Sequence, residues 1–151
     1  MAQTKSDVIA VSLFIPVIPP TTTYQEKAWR VVNGKPIPYE PAKLKEARQK
    51  LLSYLARYKP KTLQPFTNAV ELQVKWCFPR SGHQDGEYRI TKPDTDNLQK
   101  LLKDCMTAVG FWEDDAQVCS EMVEKRWVRG IRFGGTASGI WIHIHEMENN
   151  K

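Results

Sequence analysis

The chain has 151 residues, a hydrophobic fraction of 41%, a charged fraction of 26% and a formal net charge of +5, which fits a globular chain with one core and excludes a disordered or fibrous one. The three cysteines, Cys77, Cys105 and Cys119, form no CxxC pair and have no histidine at ligand spacing, which argues against a disulfide framework or zinc site and predicts free buried thiols in a reducing cytoplasm. No run approaches the roughly 18 apolar residues of a membrane span, no signal peptide is expected, and the positive balance favours anionic partners without singling out nucleic acid.

Val8–Ile15, rich in Val and Ile and closed by Pro16, predicts a strand. The segment from Pro16 to Pro41 holds six of the ten prolines and is expected to be irregular except around Asn33-Gly34, the local signal for a type I′ hairpin. Pro36 and Pro38 restrict that ribbon to an edge or an open arm. Its Lys27, Arg30 and Lys35 suit either a nucleic-acid contact or a plain surface loop.

Pro41–Tyr58 predicts a helix, with Leu44, Ala47, Leu51, Leu55 and Tyr58 at helical spacing and Pro41 suited to its first turn. Lys43, Lys45, Arg48, Lys50 and Arg57 surround that stripe, as a solvated face or a phosphate-facing one. Ala69–Phe78 alternates apolar and polar residues as a half-buried strand does. Pro79–Thr91 is expected to be a polar loop carrying Arg80, His83 and Arg89, with His83 at the surface. A second helix is predicted from Thr95 to Val109, burying Leu98, Leu101, Leu102, Cys105 and Val109 and stopping at Gly110. Ala116–Arg129 reads as a strand bulged near Met122-Val123. A final strand carries Ile140, Ile142 and Ile144 on one face and Trp141, His143 and His145 on the other. The two histidines can be a metal pair or an ordinary sheet face.

Six of the 17 acidic residues fall between Asp94 and Asp115: before the second helix, on it and just after it. Asp94 and Asp96 point about 200° apart on a regular helix. They converge only if Asp94 precedes the helix and Asp96 lies in its first turn, an arrangement Pro93 promotes. Asp96, Lys100 and Asp104 then stack on one face opposite the leucines. A short helix is expected to fold both acidic ends onto one pocket with a lysine beside it.

The plainer alternative makes Asp94 an N-cap, Asp96 a dipole partner and Glu113-Asp114-Asp115 a solvated turn. Three acids at a helix C-terminus oppose its dipole, however, and need a cation: a metal or a nearby lysine. Clustered carboxylates without Cys or His suit Mg²⁺, with Mn²⁺ as a substitute, and metal-assisted phosphodiester hydrolysis. A calcium-stabilised structural domain is the rival, but the spacing is not that of an EF-hand loop.

The pattern Lys92-Pro93-Asp94-x-Asp96-Asn97-Leu98-x-Lys100, then Asp104, then Gly110-Phe111-Trp112-x-Asp114-Asp115-x-Gln117-Val118, closely resembles the RusA family of Holliday-junction resolvases, small endonucleases common in phages and prophages. The match is dense from Lys92 to Val118 and looser elsewhere. The resemblance implies a homodimer that nicks two opposed strands of a four-way DNA junction with Mg²⁺, in the cytoplasm of a bacterial or phage-infected cell. It implies essential acids at Asp94, Asp96 and Asp115 that act as the metal ligands, with the recurring acid Asp114 as a candidate fourth, and a functional lysine at Lys100. DNA contacts are expected from Lys92, Asn97, Lys100, Lys103, Arg80 and Arg89, with no membrane and no small-molecule cofactor. The expected fold is one α+β domain, a mixed β-sheet packed against two principal helices. A non-catalytic branched-DNA-binding protein is the alternative.

Overall fold

A computed structural model describes residues 9–23, 28–80 and 82–148. Four strands, β1 (Ala10–Ile15), β4 (Val70–Pro79), β5 (Val118–Val128) and β6 (Gly139–Glu146), form a sheet in the order β1-β6-β4-β5. β6 runs antiparallel to both neighbours, whereas β4 and β5 are parallel. A parallel pair needs a crossover long enough to return the chain. Here α2 (Thr95–Val109) supplies it, after α1 (Ala42–Tyr58). The expectation of a mixed sheet with two helices in one α+β domain is met.

The sheet has one buried and one open face. Val70, Leu72, Val74, Trp76 and Phe78 of β4 are buried, while Glu71, Gln73 and Lys75 between them are not. Ile140, Ile142 and Ile144 extend the buried face across β6. Leu44, Leu51 and Leu55 of α1 and Leu98, Leu101, Leu102 and Cys105 of α2 close over it. Each such leucine contributes about 1.5–3 kcal/mol by leaving water. Gln99 is buried too, although polar, because its Oε1 accepts from Trp76 Nε1 at 2.8 Å. That bond fixes α2 against the middle of the sheet. On the open face Phe14 packs on Trp141, ring centroids 4.5 Å apart.

The hairpin forms as expected, from β2 (Ala28–Val32) and β3 (Lys35–Tyr39), with Asn33 and Gly34 both at positive φ. Among the described residues it pairs with no strand of the main sheet. Lys27 lies outside the described residues, and Arg30 stacks on Tyr39. α1 begins one residue later than expected, with Pro41 at the N-cap position. Gly110 ends α2 in the left-handed conformation, φ 94°, returning its N–H to Met106 and Thr107.

Two expectations for β5 are corrected. Its irregularity lies between Val118 and Ser120, opposite Val70 and Glu71, and not at Met122-Val123. The alternation fades because the first half of β5 is an edge, with Cys119 to Met122 all exposed. Cys119 is therefore a surface thiol, not a buried one. Cys77 and Cys105 are buried, and burial pushes their thiols up to about 11 and about 12.

The segment from Pro79 to Thr91 is more ordered than a polar loop. Gly86 and Arg89 donate to the carbonyls of Trp127 and Lys125, and Trp127 donates to Glu87, so this stretch pairs with the second half of β5. His83 bonds Glu87 and stacks on Trp127 at 4.6 Å between ring centroids. Asp85 ties the segment to the loop before β6, accepting from the N–H groups of Arg129 and Thr136 and from Thr136 Oγ1.

Candidate functional site

Asp94 occupies the N-cap position of α2 in extended conformation, yet its carboxylate makes no capping hydrogen bond. It pairs with Lys92 Nζ at 2.9 Å instead, so the plain-cap alternative does not describe this side chain. Pro93, after a cis peptide bond, is buried, and Asp96 stands exposed in the first turn. Lys100 follows one turn further along, also exposed. Both acids therefore sit where the positive end of the helix dipole favours them, and both remain accessible to a ligand.

The turn that presents them is held from β5. Lys125 Nζ donates to the carbonyls of Thr91 and Pro93, each at 2.8 Å. Burial, and then Arg89, push the Lys125 ammonium below its ordinary value, Asp94 opposes them, and Lys92 adds to the depression. Arg89 donates to the Lys92 carbonyl and to Thr91 Oγ1, and its guanidinium lies 4.3 Å from the ring centroids of both Phe78 and Trp127. Arg80 stands over the same Trp127 at 5.4 Å. Arg89 thus braces this turn. Lys125 escaped the sequence reading because it lies thirty-one residues after Asp94 on a different element. A lysine pointing to the buried side of a strand was its only signal.

The other end of α2 is arranged differently. Asp114 caps the 3-10 turn Asp115–Gln117, its carboxylate accepting from Ala116 N–H while Gln117 Oε1 accepts from the N–H of Glu113 and Asp114. Gln117 Nε2 in turn donates to the carbonyls of Phe66 and Asn68. One carboxylate oxygen of Asp114 is therefore taken up by this cap. Asp115, half-buried, makes no side-chain hydrogen bond or ion pair among the described residues. Lys59 Nζ lies close to Gly110, at the C-terminal end of α2, where the helix dipole favours a cation.

The two ends do not meet within one chain. Fifteen residues of α2 advance about 22 Å at 1.5 Å per residue. The strand route agrees. Lys125 holds Pro93 at one end of the crossover, and Asp115 precedes Val118 at the other. The seven steps between Val118 and Lys125 span about 23 Å. Accordingly, no three His, Cys, Asp or Glu side chains gather as a metal site among the described residues. That holds for His143 and His145 as well; His143 Nδ1 meets Ser12 Oγ at 2.7 Å. The hard oxygens of Asp94 and Asp96 suit Mg²⁺, but one chain brings only two of the three expected carboxylates together.

Lys103, expected at DNA, forms an ion pair with Glu121 at 3.0 Å. Asn97 is half-buried in the first turn of α2. Arg48 pairs with Glu40 at 2.8 Å, whereas Lys43, Lys45 and Lys50 of α1 are exposed. No helix among the described residues is long and apolar enough to cross a membrane.

Comparison with known proteins matches most of the chain. The chain is 29% identical over 127 residues, 83% of its length and 90% of the relative's, to a protein of Lactococcus phage r1t named crossover junction endodeoxyribonuclease rusA. The family model described as Endodeoxyribonuclease RusA matches residues 17–133, a span that includes α2 with both acidic ends. The chain belongs to the RusA family of endodeoxyribonucleases, the Holliday-junction resolvases.

Proposed function

We propose that this endonuclease resolves four-way DNA junctions by paired nicks in recombination and repair, as a Mg²⁺-dependent homodimer. Each active site would combine Asp94 and Asp96 of one subunit with Asp115 of the partner subunit. The observation that carries this reading is the division of three accessible carboxylates between opposite ends of α2. A four-way junction has two-fold symmetry, and a C2 dimer presents two equivalent sites to it. A shared site also makes cleavage conditional on assembly.

The residues have separate tasks in this arrangement. Asp94 and Asp96, with the partner's Asp115, would hold the ion. When bound, it supplies neutralisation of phosphate oxygens and a more acidic attacking water. Lys100, on the exposed face of α2 one turn beyond Asp96, places positive charge beside the scissile phosphate as negative charge develops. Lys92 and Arg80 extend the basic surface at the helix start. Lys125 and Arg89 hold the Thr91–Pro93 backbone, so that Asp94 is positioned before DNA arrives.

Complementation tests the shared site. Asp94→Asn and Asp115→Asn each remove activity from a homodimer. Co-expressed, they form heterodimers with one site lacking both acids and one site intact. Random assortment puts half the protein in heterodimers, so about a quarter of wild-type nicking returns, one strand per junction. A site contained within one chain gives no recovery, which would overturn the shared arrangement. Wild-type nicking by either variant alone would overturn the catalytic assignment of that acid.

A further inference from the structure

We infer that the open face of the sheet is a second nucleic-acid site, which stacks an unpaired base of single-stranded DNA on Trp141 beside Lys75. Its ligand comes from the branched DNA of the proposed reaction, so it rests on that reading; its place is the face of the sheet turned away from α2.

On a sheet with one solvated face the outward side chains are expected to be polar. Here Ser12, Glu71, Gln73, Lys75, Glu124 and His143 follow that rule, and three large apolar side chains break it: Phe14, Trp141 and Met122. Trp141 and Met122 are exposed. All three line one groove of about 500 Å³, the size of a small-ligand site. The register fixes its shape. Phe14, Trp141, Lys75 and Glu124 form one cross-strand row, and Ser12, His143, Gln73 and Met122 form the next. Gln73 and Lys75 of the central strand β4 are therefore the floor. Trp141, packed on Phe14, is one wall and Met122 the other, on strands about 10 Å apart. That gap admits one flat ring between an indole and a thioether, and both are good partners for an aromatic face.

The charges select a nucleotide among flat ligands. Glu124 is paired with Arg126 at 3.0 Å, and Glu71, at the margin, accepts from Gln73 Nε2. Lys75 is exposed and makes no side-chain hydrogen bond or ion pair among the described residues. The groove thus sets a cation beside a stacking platform, the combination that holds single strands: the indole takes the base and the ammonium the phosphate.

The groove is also continuous with the catalytic end of α2. Lys125 and Arg126 are consecutive in β5 and point to opposite faces. Lys125 holds Thr91 and Pro93 beside Asp94. Arg126 lines the groove and lies over the Tyr88 ring, 4.1 Å from its centroid. The edge between the two faces exposes Tyr88 and Ile90, Ile90 at 93%. A strand unpaired at the branch point can cross this edge from one face to the other. Duplex DNA keeps its bases stacked inside and cannot offer one to Trp141.

The test uses the full-length protein in EDTA, with a fluorescein-labelled short oligothymidylate and a duplex of equal length as probes in anisotropy titrations. Trp141→Ala is expected to weaken oligothymidylate binding about tenfold, as loss of one stacked base does, with duplex binding unchanged. Trp141→Phe keeps a ring and should recover most of the affinity. Lys75→Gln should flatten the salt dependence of oligothymidylate binding by about 0.7 in slope, the share of one phosphate on a single strand; on an exposed side chain, this variant decides should Trp141→Ala not fold. Unchanged oligothymidylate binding in Trp141→Ala, an unchanged salt slope in Lys75→Gln, or equal losses on oligothymidylate and duplex would overturn the site. A changed sedimenting mass in Trp141→Ala would overturn it too, by assigning this face to self-association. Binding in EDTA is read without cleavage, so a protein that holds oligothymidylate through Trp141 yet nicks no junction keeps this site and loses the proposed reaction.

Discussion

The ammonium of Lys125 lies 2.8 Å from the carbonyl oxygen of Pro93, the residue directly before Asp94. With the matching bond to Thr91, this contact ties the acidic end of α2 to β5. Lys125→Met leaves two carbonyls without their charged donor, and such hydrogen bonds contribute about 1.5–3 kcal/mol. Lys125 is partly exposed, so solvent screening reduces that, and a loss of about 1 kcal/mol is expected in urea melts. The expected functional result is larger: more Mg²⁺ required for half-maximal nicking, with junction affinity little changed. Lys125→Arg, which keeps a charged donor, should recover part of the metal affinity. An unchanged Mg²⁺ requirement in Lys125→Met would make the lysine a purely structural tie.

Asp114 and Asp115 are neighbours with opposite expected phenotypes. Asp115→Asn, like Asp96→Asn, should lower nicking about a hundredfold or more, since lost metal coordination costs several kcal/mol at the transition state. Folding and junction binding persist, and binding tightens without metal as one repulsive carboxylate is removed. Asp114→Ala should cost about 1 kcal/mol of stability through loss of the cap and leave nicking within a few-fold of wild type. Melting temperature and nicking rate on the three variants are the measurements. Equal loss of activity in Asp114→Ala and Asp115→Asn, at unchanged stability, would contradict the division of roles.

Metal choice follows from the donor set. Oxygen-only ligands accept Mg²⁺ and Mn²⁺ and have no preference for Zn²⁺. Ca²⁺ is expected to support junction binding but not cleavage, because its looser coordination positions water poorly. Cleavage assays with each ion after chelation and dialysis check this. Full activity in Zn²⁺ alone, or with no added metal, is the contrary result.

Acid should loosen the segment before the active site through Asp85. Hydrogen bonds from the Arg129 N–H, the Thr136 hydroxyl and the Thr136 N–H hold its carboxyl below the ordinary 3.8. A depressed folded value means that the stabilisation is fully present above the unfolded value and is lost as pH falls through the folded one. Asp85→Ala is therefore expected to melt lower than wild type at neutral pH, with the difference shrinking below about pH 4. A constant gap from pH 7 to pH 2 would show that the ionised form is not what stabilises.

Much of the fold was legible because the signals are local. Asn33-Gly34 specifies a turn with two positive φ angles, and the leucines of α2 and its terminal Gly110 specify a helix with a fixed end. The acids were legible as well, because carboxylate type and spacing around a proline and a helix are properties of the chain itself. The sequence by itself determined the elements, the acidic motif and, through that motif, the family. Tertiary structure decided where the acids go. A helix advances about 1.5 Å per residue, so a motif spread along α2 is carried apart, and the parallel crossover sends Asp115 to the opposite end of β5 from Asp94. The same crossover returns Lys125 to the Thr91–Pro93 turn and leaves Cys119 on an open edge. Those placements depend on strand order and direction, which no local window of sequence encodes.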